Sequence, residues 1–275
     1  MMTSVDIVEK YLKTDRLPHI WCAGCGNGIV TSALLRAIEN VGLKKEDIVV
    51  VSGIGCSSRA PGYLDLCGLH TAHGRALAFA TGVKFANPKL KVIALMGDGD
   101  CTSIGGNHLI HTARRNIDIT AIVFNNNNYG MTGGQYSPTT PEGSQTRTSP
   151  YGSIEPPFDI CDLAKGAGAT YVARSTTYNT AMLTKYIEKA LEHKGFSIVD
   201  AICDCPTLYG RLNKLGTPSK MLLLQKEKAV TIQQAEKMSA QELSNRIVIG
   251  EFVIADKPEY TEAYDNVIAK AQKEA

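Results

Sequence analysis

Carboxylate and amide side chains follow two apolar runs of this sequence, at positions suited to metal and phosphate chemistry. The run 91–96 (KVIALM) has the length and composition of a buried strand and leads directly into Gly97-Asp98-Gly99-Asp100. The run 119–124 (ITAIVF) leads in the same way into Asn125-Asn126-Asn127-Asn128. The chain between them has room for one crossover helix, so the two strands would be parallel and their carboxyl ends would share an edge. Because Mg²⁺ prefers oxygen ligands of these types together with phosphate oxygens, the pattern predicts a metal-diphosphate site.

Cysteines form the second group of reactive residues. Cys22 and Cys25 lie in a glycine-rich CxxC turn, which alone could hold zinc, a redox disulfide or two corners of an iron–sulfur cluster. Cys56 and Cys205 each follow a strand-like run, so the same sheet edge would gather all four residues. Cys203 competes with Cys205, since the two residues would face opposite sides of one strand.

The elements that position these residues alternate between strand and helix. Strand-like runs occur at 48–52, 91–96, 118–124, 169–173 and 196–203, and helical stretches at 27–41, 74–86, 105–115, 159–167 and 178–193. This alternation predicts an α/β fold with a three-layer parallel sheet. We expect residues 1–217 to form the cofactor-binding domain and residues 218–275 a helical extension that docks on the core or on a partner. The polar loop 135–157 is a candidate lid or partner-binding segment.

Composition excludes several classes of function. The 275 residues carry a formal net charge of +2 without basic clusters, so nucleic acid is not an expected partner. No apolar stretch approaches the roughly 18 residues of a membrane-spanning helix, and the N-terminal residues lack a signal-peptide core. We therefore expect a cytoplasmic protein with reduced thiols.

The motifs together resemble those of a known family, the β subunits of 2-oxoacid:ferredoxin oxidoreductases, in particular those acting on 2-oxoglutarate. GDG followed at a distance by NN resembles the signature of thiamine diphosphate enzymes. The further matching segments, in family order over about residues 18–215, are WCAGCGNG, GIGCSSR, HTAHGRALAFATGVKFANP, NHLIHTARRNIDIT, NNNNYGMTGGQ and CPTLYGR. The resemblance implies the thiamine diphosphate-binding version of the three-layer fold.

The resemblance also implies roles for individual residues. Mg²⁺ would be held by Asp98, the side chain of Asn126 and the main-chain carbonyl of Asn128, and one [4Fe–4S] cluster by Cys22, Cys25, Cys56 and Cys205. The residues expected to bind the cofactor are Gly97, Asp98, Gly99, Asp100, Asn126, Asn128, Gly130, Met131, Thr132, Cys56 and His73. His73 and Arg59 are candidate catalytic residues. Arg59 and Arg211 could instead recognise a substrate carboxylate or form ordinary surface ion pairs.

The reaction implied by the resemblance is oxidative decarboxylation of a 2-oxoacid. The acyl group would pass to coenzyme A and the electrons to ferredoxin. The resemblance favours 2-oxoglutarate over pyruvate as the substrate. Only the diphosphate-binding half of a thiamine site is evident, so we expect an α subunit with the pyrimidine-binding domain and its activating glutamate. Small γ and δ subunits are further candidate partners. Two alternatives stay open: a subunit of a non-redox thiamine enzyme, such as a decarboxylase or acetolactate-synthase-like protein, and a non-catalytic zinc-binding partner.

Overall fold

The computed structural model describes residues 3–274. Its helices are α1 (Ser4–Tyr11), α2 (Asn27–Val41), α3 (Ala76–Ala86), α4 (Asp98–Thr102), α5 (Gly106–Arg114), α6 (Ile160–Gly166), α7 (Thr180–Glu192), α8 (Pro218–Lys228), α9 (Ile232–Ala235), α10 (Ala240–Leu243) and α11 (Tyr260–Glu274). Its strands are β1 (Ile48–Ser52), β2 (Cys67–His70), β3 (Lys91–Gly97), β4 (Thr120–Asn125), β5 (Asn128–Tyr129), β6 (Gln135–Tyr136), β7 (Tyr171–Thr176), β8 (Ser197–Ile202), β9 (Ala229–Thr231) and β10 (Ile247–Ile254). Short 3₁₀ turns lie at Thr14–Arg16, Lys45–Asp47 and Ser57–Gly62, and a π-helical turn at Pro206–Gly210.

Eight of these strands form one sheet in the order β2-β1-β3-β4-β8-β7-β10-β9. The first six strands of this order run parallel, and β10 pairs antiparallel with β7. The central strands are buried along their whole length, as their near-continuous apolar sequences require. This arrangement confirms the predicted α/β class and its mostly parallel sheet.

Helices cover both faces of the sheet because successive strand residues point to opposite sides. Ile93 and Leu95 of β3 pack with α1, α2 and α7 in one core, whereas Val92, Ala94 and Met96 pack with α3, α5 and α6 in the other. The chain therefore has three layers with a hydrophobic core on each side of the sheet. None of the helices within residues 3–274 has both the length and the apolarity needed to cross a bilayer.

The C-terminal segment departs from the helical extension expected for residues 218–275. It does contain helices α8 and α11, but β10 joins the main sheet beside β7. The physical reason lies in the run IVIGEFVI, whose β-branched and aromatic residues favour a strand. The segment is thus part of the sheet as well as a set of helices, and a division of the chain at residue 217 remains a prediction.

The sheet edge at which the parallel strands end carries the polar motifs. The residues that follow β1, β3, β4 and β8 lie there, because parallel strands place their carboxyl ends on one side. A small hairpin of β5 and β6 extends from the same edge after β4. The candidate site is built on this edge.

Candidate active site at the carboxyl edge of the sheet

Asp98 begins α4 immediately after β3 and is almost fully buried, with 2% of its surface exposed. Burial raises the pKa of its carboxyl group to about 6, although hydrogen bonds from Ser137 and Thr139 act in the opposite direction. The two hydroxyl groups donate to Oδ2 over 2.5 and 2.6 Å. A desolvated carboxylate of this kind is stabilised by a cation, so Asp98 could hold a metal ion.

The asparagines after β4 form a compact turn beside Asp98. Asn127 adopts a left-handed conformation (φ 59°), which asparagine tolerates better than most residues. The amide oxygen of Asn126 accepts hydrogen bonds from the backbone N–H and side-chain amide of Asn128, over 3.3 and 3.1 Å. The Oδ1 atom of Asn128 is buried and has no partner among the described residues. The turn therefore presents several amide and carbonyl oxygens that could bind a cation.

A cavity of about 90 Å³ connects these strand tips. All the residues expected to bind the cofactor line it, namely Cys56, His73, Gly97, Asp98, Gly99, Asp100, Asn126, Asn128, Gly130, Met131 and Thr132. Ile54, Gly55, Ser57 and Tyr129 complete the wall. The structure thus brings the predicted set into one place, and its binding of a cofactor remains a prediction.

Gly99 shows how closely the wall of this cavity is packed. A Cβ atom at this position would lie 2.3 Å from the ring of Tyr129, so only glycine fits without displacement. The Tyr129 ring in turn lies 5.8 Å from the imidazole of His73, centroid to centroid. Glycine in the GDG motif therefore allows the β5 segment to approach α4.

The Asp100 carboxylate is hydrogen-bonded to two neighbouring loops of the chain. Its Oδ1 atom accepts hydrogen bonds from the backbone N–H groups of Gly74 (2.6 Å) and Ile54 (3.4 Å), and His73 Nδ1 lies 3.2 Å away. Burial raises the pKa of this carboxyl group. Asp100 thus links the loop after β1 to the turn before α3.

Four cysteines gather next to the cavity. The CxxC turn is closed by a hydrogen bond from Cys25 N–H to Cys22 O (3.1 Å). Burial is the main reason that the pKa of Cys25 is raised to about 12; a hydrogen bond from the Asn27 backbone lowers it, and the charges of the neighbouring cysteines add to the increase. The pKa of Cys56 is raised to about 11 by burial and then by Cys205 and Cys22. The four thiols are free and close enough to influence one another.

Cys203 and Cys205 have different surroundings. Cys203 is 4% exposed, belongs to the core beneath α2 and donates its thiol hydrogen to Asn27 Oδ1 over 3.8 Å. Cys205 lies on the outer side with Cys56, because a Cβ atom on Gly130 would lie 3.5 Å from Cys56 Sγ and 3.8 Å from Cys205 Sγ. Cys205 is therefore the fourth member of the group by position.

The donor set fits an iron–sulfur cluster better than a single metal ion. Within the described chain, no group of three or more His, Cys, Asp or Glu side chains could close around one ion. Zinc requires its thiolates within about 2.3 Å of one centre, whereas a cluster spreads its four thiolates over separate corners. Four free thiols, of which those of Cys25, Cys56 and Cys205 are partly buried and that of Cys22 is exposed, suit the second arrangement.

The two candidate arginines lie away from the cavity. Arg59 is exposed on the turn Ser57–Gly62, and Arg211 is exposed just after the π-helical turn. Neither side chain lines the cavity. The structure therefore brings His73 to the site but does not bring Arg59 there, and a catalytic role for Arg59 gains no support from its position.

Sequence reasoning missed the hydroxyl groups that contact Asp98. Ser137 and Thr139 belong to the loop 135–157, which was interpreted only as a lid or partner-binding segment. The available signal was a cluster of Ser and Thr residues (SPTT) directly after the metal motif. Which hydroxyl group would turn toward Asp98 depends on the tertiary fold and could not be read from spacing.

Comparison with known proteins agrees with this arrangement. Residues 53–201 match the family "Thiamine pyrophosphate enzyme, C-terminal TPP binding domain", so the fold and the site define a thiamine pyrophosphate-binding domain. The chain is 52% identical over 265 residues to 2-oxoglutarate synthase subunit KorB of Methanocaldococcus jannaschii, covering 96% of this chain and 98% of the relative. It is 59% identical over 197 residues to the subunit of the same name from Archaeoglobus fulgidus, covering 72% and 73%.

A solved structure is similar over nearly the whole chain. It is the 2-oxoglutarate:ferredoxin oxidoreductase from Magnetococcus marinus with 2-oxoglutarate, coenzyme A and succinyl-CoA bound, at a TM-score of 0.85 and 33% identity, covering 96% of this chain and 90% of that chain. The chain therefore belongs to the family of 2-oxoacid:ferredoxin oxidoreductase β subunits.

Proposed function

We propose that this chain is the β subunit of an enzyme that oxidatively decarboxylates 2-oxoglutarate with coenzyme A, yielding succinyl-CoA, CO₂ and reduced ferredoxin. One observation carries the redox part of the proposal: the cysteine group and the cofactor cavity share a wall. Cys56 and Gly130 both line the cavity, and a Cβ atom on Gly130 would lie 3.5 Å from Cys56 Sγ and 3.8 Å from Cys205 Sγ. A cluster held there would adjoin the site where substrate electrons are released.

Within this site, Asp98 and Asn126 would hold Mg²⁺ through their side chains, and Asn128 through its main-chain carbonyl. Their burial and their oxygen donors suit a hard cation, which would supply positive charge beside a bound diphosphate. Thiamine diphosphate, when bound, supplies the carbon nucleophile and the electron sink for decarboxylation. The protein's own part is to orient the diphosphate, exclude water and place His73 in the wall of the cavity.

The cysteines Cys22, Cys25, Cys56 and Cys205 would bind one [4Fe–4S] cluster. The raised pKa values of Cys25 and Cys56 mean that these two unliganded thiols resist ionisation, and bound iron would supply the positive charge that favours the thiolates. Asp98 and Asp100 are the only carboxylate side chains among the residues lining the cavity. The activating glutamate would therefore come from an α subunit. Ferredoxin would accept the electrons, and small γ and δ subunits are further candidate partners.

The substrate proposal rests on the relatives, whose names specify 2-oxoglutarate. The test uses the complex of this chain with its co-expressed partner subunit, purified anaerobically. We expect ferredoxin reduction with 2-oxoglutarate and coenzyme A, and far slower reduction with pyruvate. Faster turnover of pyruvate would overturn the substrate assignment, and decarboxylation without ferredoxin reduction would favour a non-redox thiamine enzyme.

The same assay tests the role of Asp98. We expect Asp98→Asn to lose nearly all activity, because an amide cannot offset the cation's charge, whereas Asp47→Asn, an exposed carboxylate on a surface turn, serves as the matched control. Full activity of the Asp98→Asn complex would contradict a metal-diphosphate site at this position.

A further inference from the structure

The turn Ser137–Thr140 (sequence SPTT) is the part of the long loop that packs most closely against the candidate metal site. Ser137, Thr139 and Thr140 are each at most 4% exposed, although the loop that carries them runs over the surface. We call these four residues the hydroxyl turn. Its three hydroxyl groups are buried and all are hydrogen-bonded, which identifies them as parts of a specific polar arrangement.

On one side, the hydroxyl turn contacts the tip of β3. Ser137 Oγ donates to Asp98 Oδ2 over 2.5 Å, and Thr139 Oγ1 donates to the same oxygen over 2.6 Å. Both distances are typical of hydroxyl groups bound to an ionised carboxylate. Both donors bond to Oδ2, and no side-chain hydroxyl group among the described residues bonds to Oδ1.

On the other side, the hydroxyl turn contacts the tip of β4. Thr140 Oγ1 donates to the main-chain carbonyl of Asn127 over 2.6 Å and also accepts from the N–H group of Ser137 over 2.8 Å. Thr139 Oγ1 lies 3.3 Å from Asn125 Oδ1, but its single hydrogen is used by the shorter contact to Asp98. The turn therefore bridges the two strand tips that carry Asp98 and Asn126.

We propose that Ser137 and Thr139 are positioning residues for the metal site: they hold Asp98 Oδ2 so that Oδ1 faces the cation, while Thr140 fixes the asparagine turn opposite. This inference rests on the proposed function, since it concerns the cation that Asp98 and Asn126 would bind. It assigns a role in metal binding to a loop whose only expected roles were those of a lid or a partner contact. The hydroxyl groups act through Asp98 and need not touch the cation themselves.

The test measures metal binding directly. The complex with its partner subunit is stripped of divalent metal, supplied with thiamine diphosphate and titrated with Mn²⁺, and free Mn²⁺ is followed by electron paramagnetic resonance. We expect the double variant Ser137→Ala/Thr139→Val to bind Mn²⁺ about 10–100-fold more weakly, as is typical when the partners of a metal-binding carboxylate are removed. Thr139→Ser, which keeps the hydroxyl donor, should retain the affinity of the parent protein.

Thr146→Val is the matched control. Thr146 is a buried threonine of the same loop, and its hydroxyl group bonds to Ser149 within the loop and not to Asp98. We expect this variant to bind Mn²⁺ like the parent. Circular dichroism and gel filtration establish that each complex is folded, and a double variant that does not fold is replaced by the single variant Thr139→Val.

The results of this titration distinguish failure of the positioning role from failure of the proposed metal site. The positioning role would be overturned if the folded Ser137→Ala/Thr139→Val variant, or Thr139→Val in its place, bound Mn²⁺ as tightly as the parent. The proposed function would then remain intact. Equal weakening by Thr146→Val would also overturn the positioning role, because loop integrity would then explain the effect. A parent complex that binds no Mn²⁺ with thiamine diphosphate would overturn the proposed metal site and this inference together.

Discussion

Individual side chains at the sheet edge show where sequence reasoning succeeds and where it stops. The order GDG then NN placed Asp98 and Asn126 at adjacent strand tips, and the structure brings both into one cavity. The alternation of side chains along a strand predicted opposite facings for Cys203 and Cys205, but only packing reveals which of them faces the core. Contacts such as Ser137 to Asp98 join residues far apart in sequence and have no local signature.

The cysteine assignment gives a prediction at this scale. We expect Cys205→Ser to lose the iron–sulfur cluster from the anaerobically purified complex, because a serine hydroxyl is a poor replacement for a thiolate ligand. Cys203→Ser should keep the cluster, since Cys203 lies in the core beside Asn27. Iron analysis and the visible absorption spectrum measure both. Loss of iron from Cys203→Ser, with iron retained in Cys205→Ser, would reverse the assignment.

Secondary-structure elements were predictable where burial imposes a simple pattern. β1, β3, β4 and β8 are buried on both faces, so each has a mainly apolar sequence that stands out, although β8 also contains the buried Asp200. β2 was missed because it is a four-residue edge strand, CGLH. Its side chains are mostly exposed, and its sequence shows no alternation of polar and apolar residues. β10 was missed because the surrounding residues are rich in lysine and glutamate, which obscured the run IVIGEFVI.

The pairing of β10 with β7 leads to a prediction about the C-terminal segment. Removing residues 247–275 would expose the β7 edge and uncover Val172 and Tyr171, so we expect a large drop in melting temperature or insoluble protein. Removing only residues 270–275, whose described side chains are exposed, should change little. Thermal unfolding of the complexes compares the two. An unchanged melting temperature in the longer truncation would mean that the segment is a dispensable extension.

At the scale of the whole molecule, one sheet edge brings together the cysteines and the carboxylate and amide side chains, which are far apart in the sequence. The residues after β1, β3, β4 and β8 supply the cysteines, carboxylates and amides, because parallel strands end on the same side. The α/β class and this common edge were predictable from alternation alone. Strand and helix alternation does not indicate the α subunit that would complete the site; that expectation comes from the family resemblance, and the lack of a glutamate among the residues lining the cavity agrees with it.

The most direct test of the account is the cofactor content of the anaerobically purified complex of this chain with its partner subunit. We predict about four iron and four sulfide ions with one thiamine diphosphate for each copy of this chain, as one [4Fe–4S] cluster beside one thiamine site requires. Thiamine diphosphate without iron, under conditions that preserve clusters, would contradict the redox assignment and indicate a non-redox thiamine enzyme.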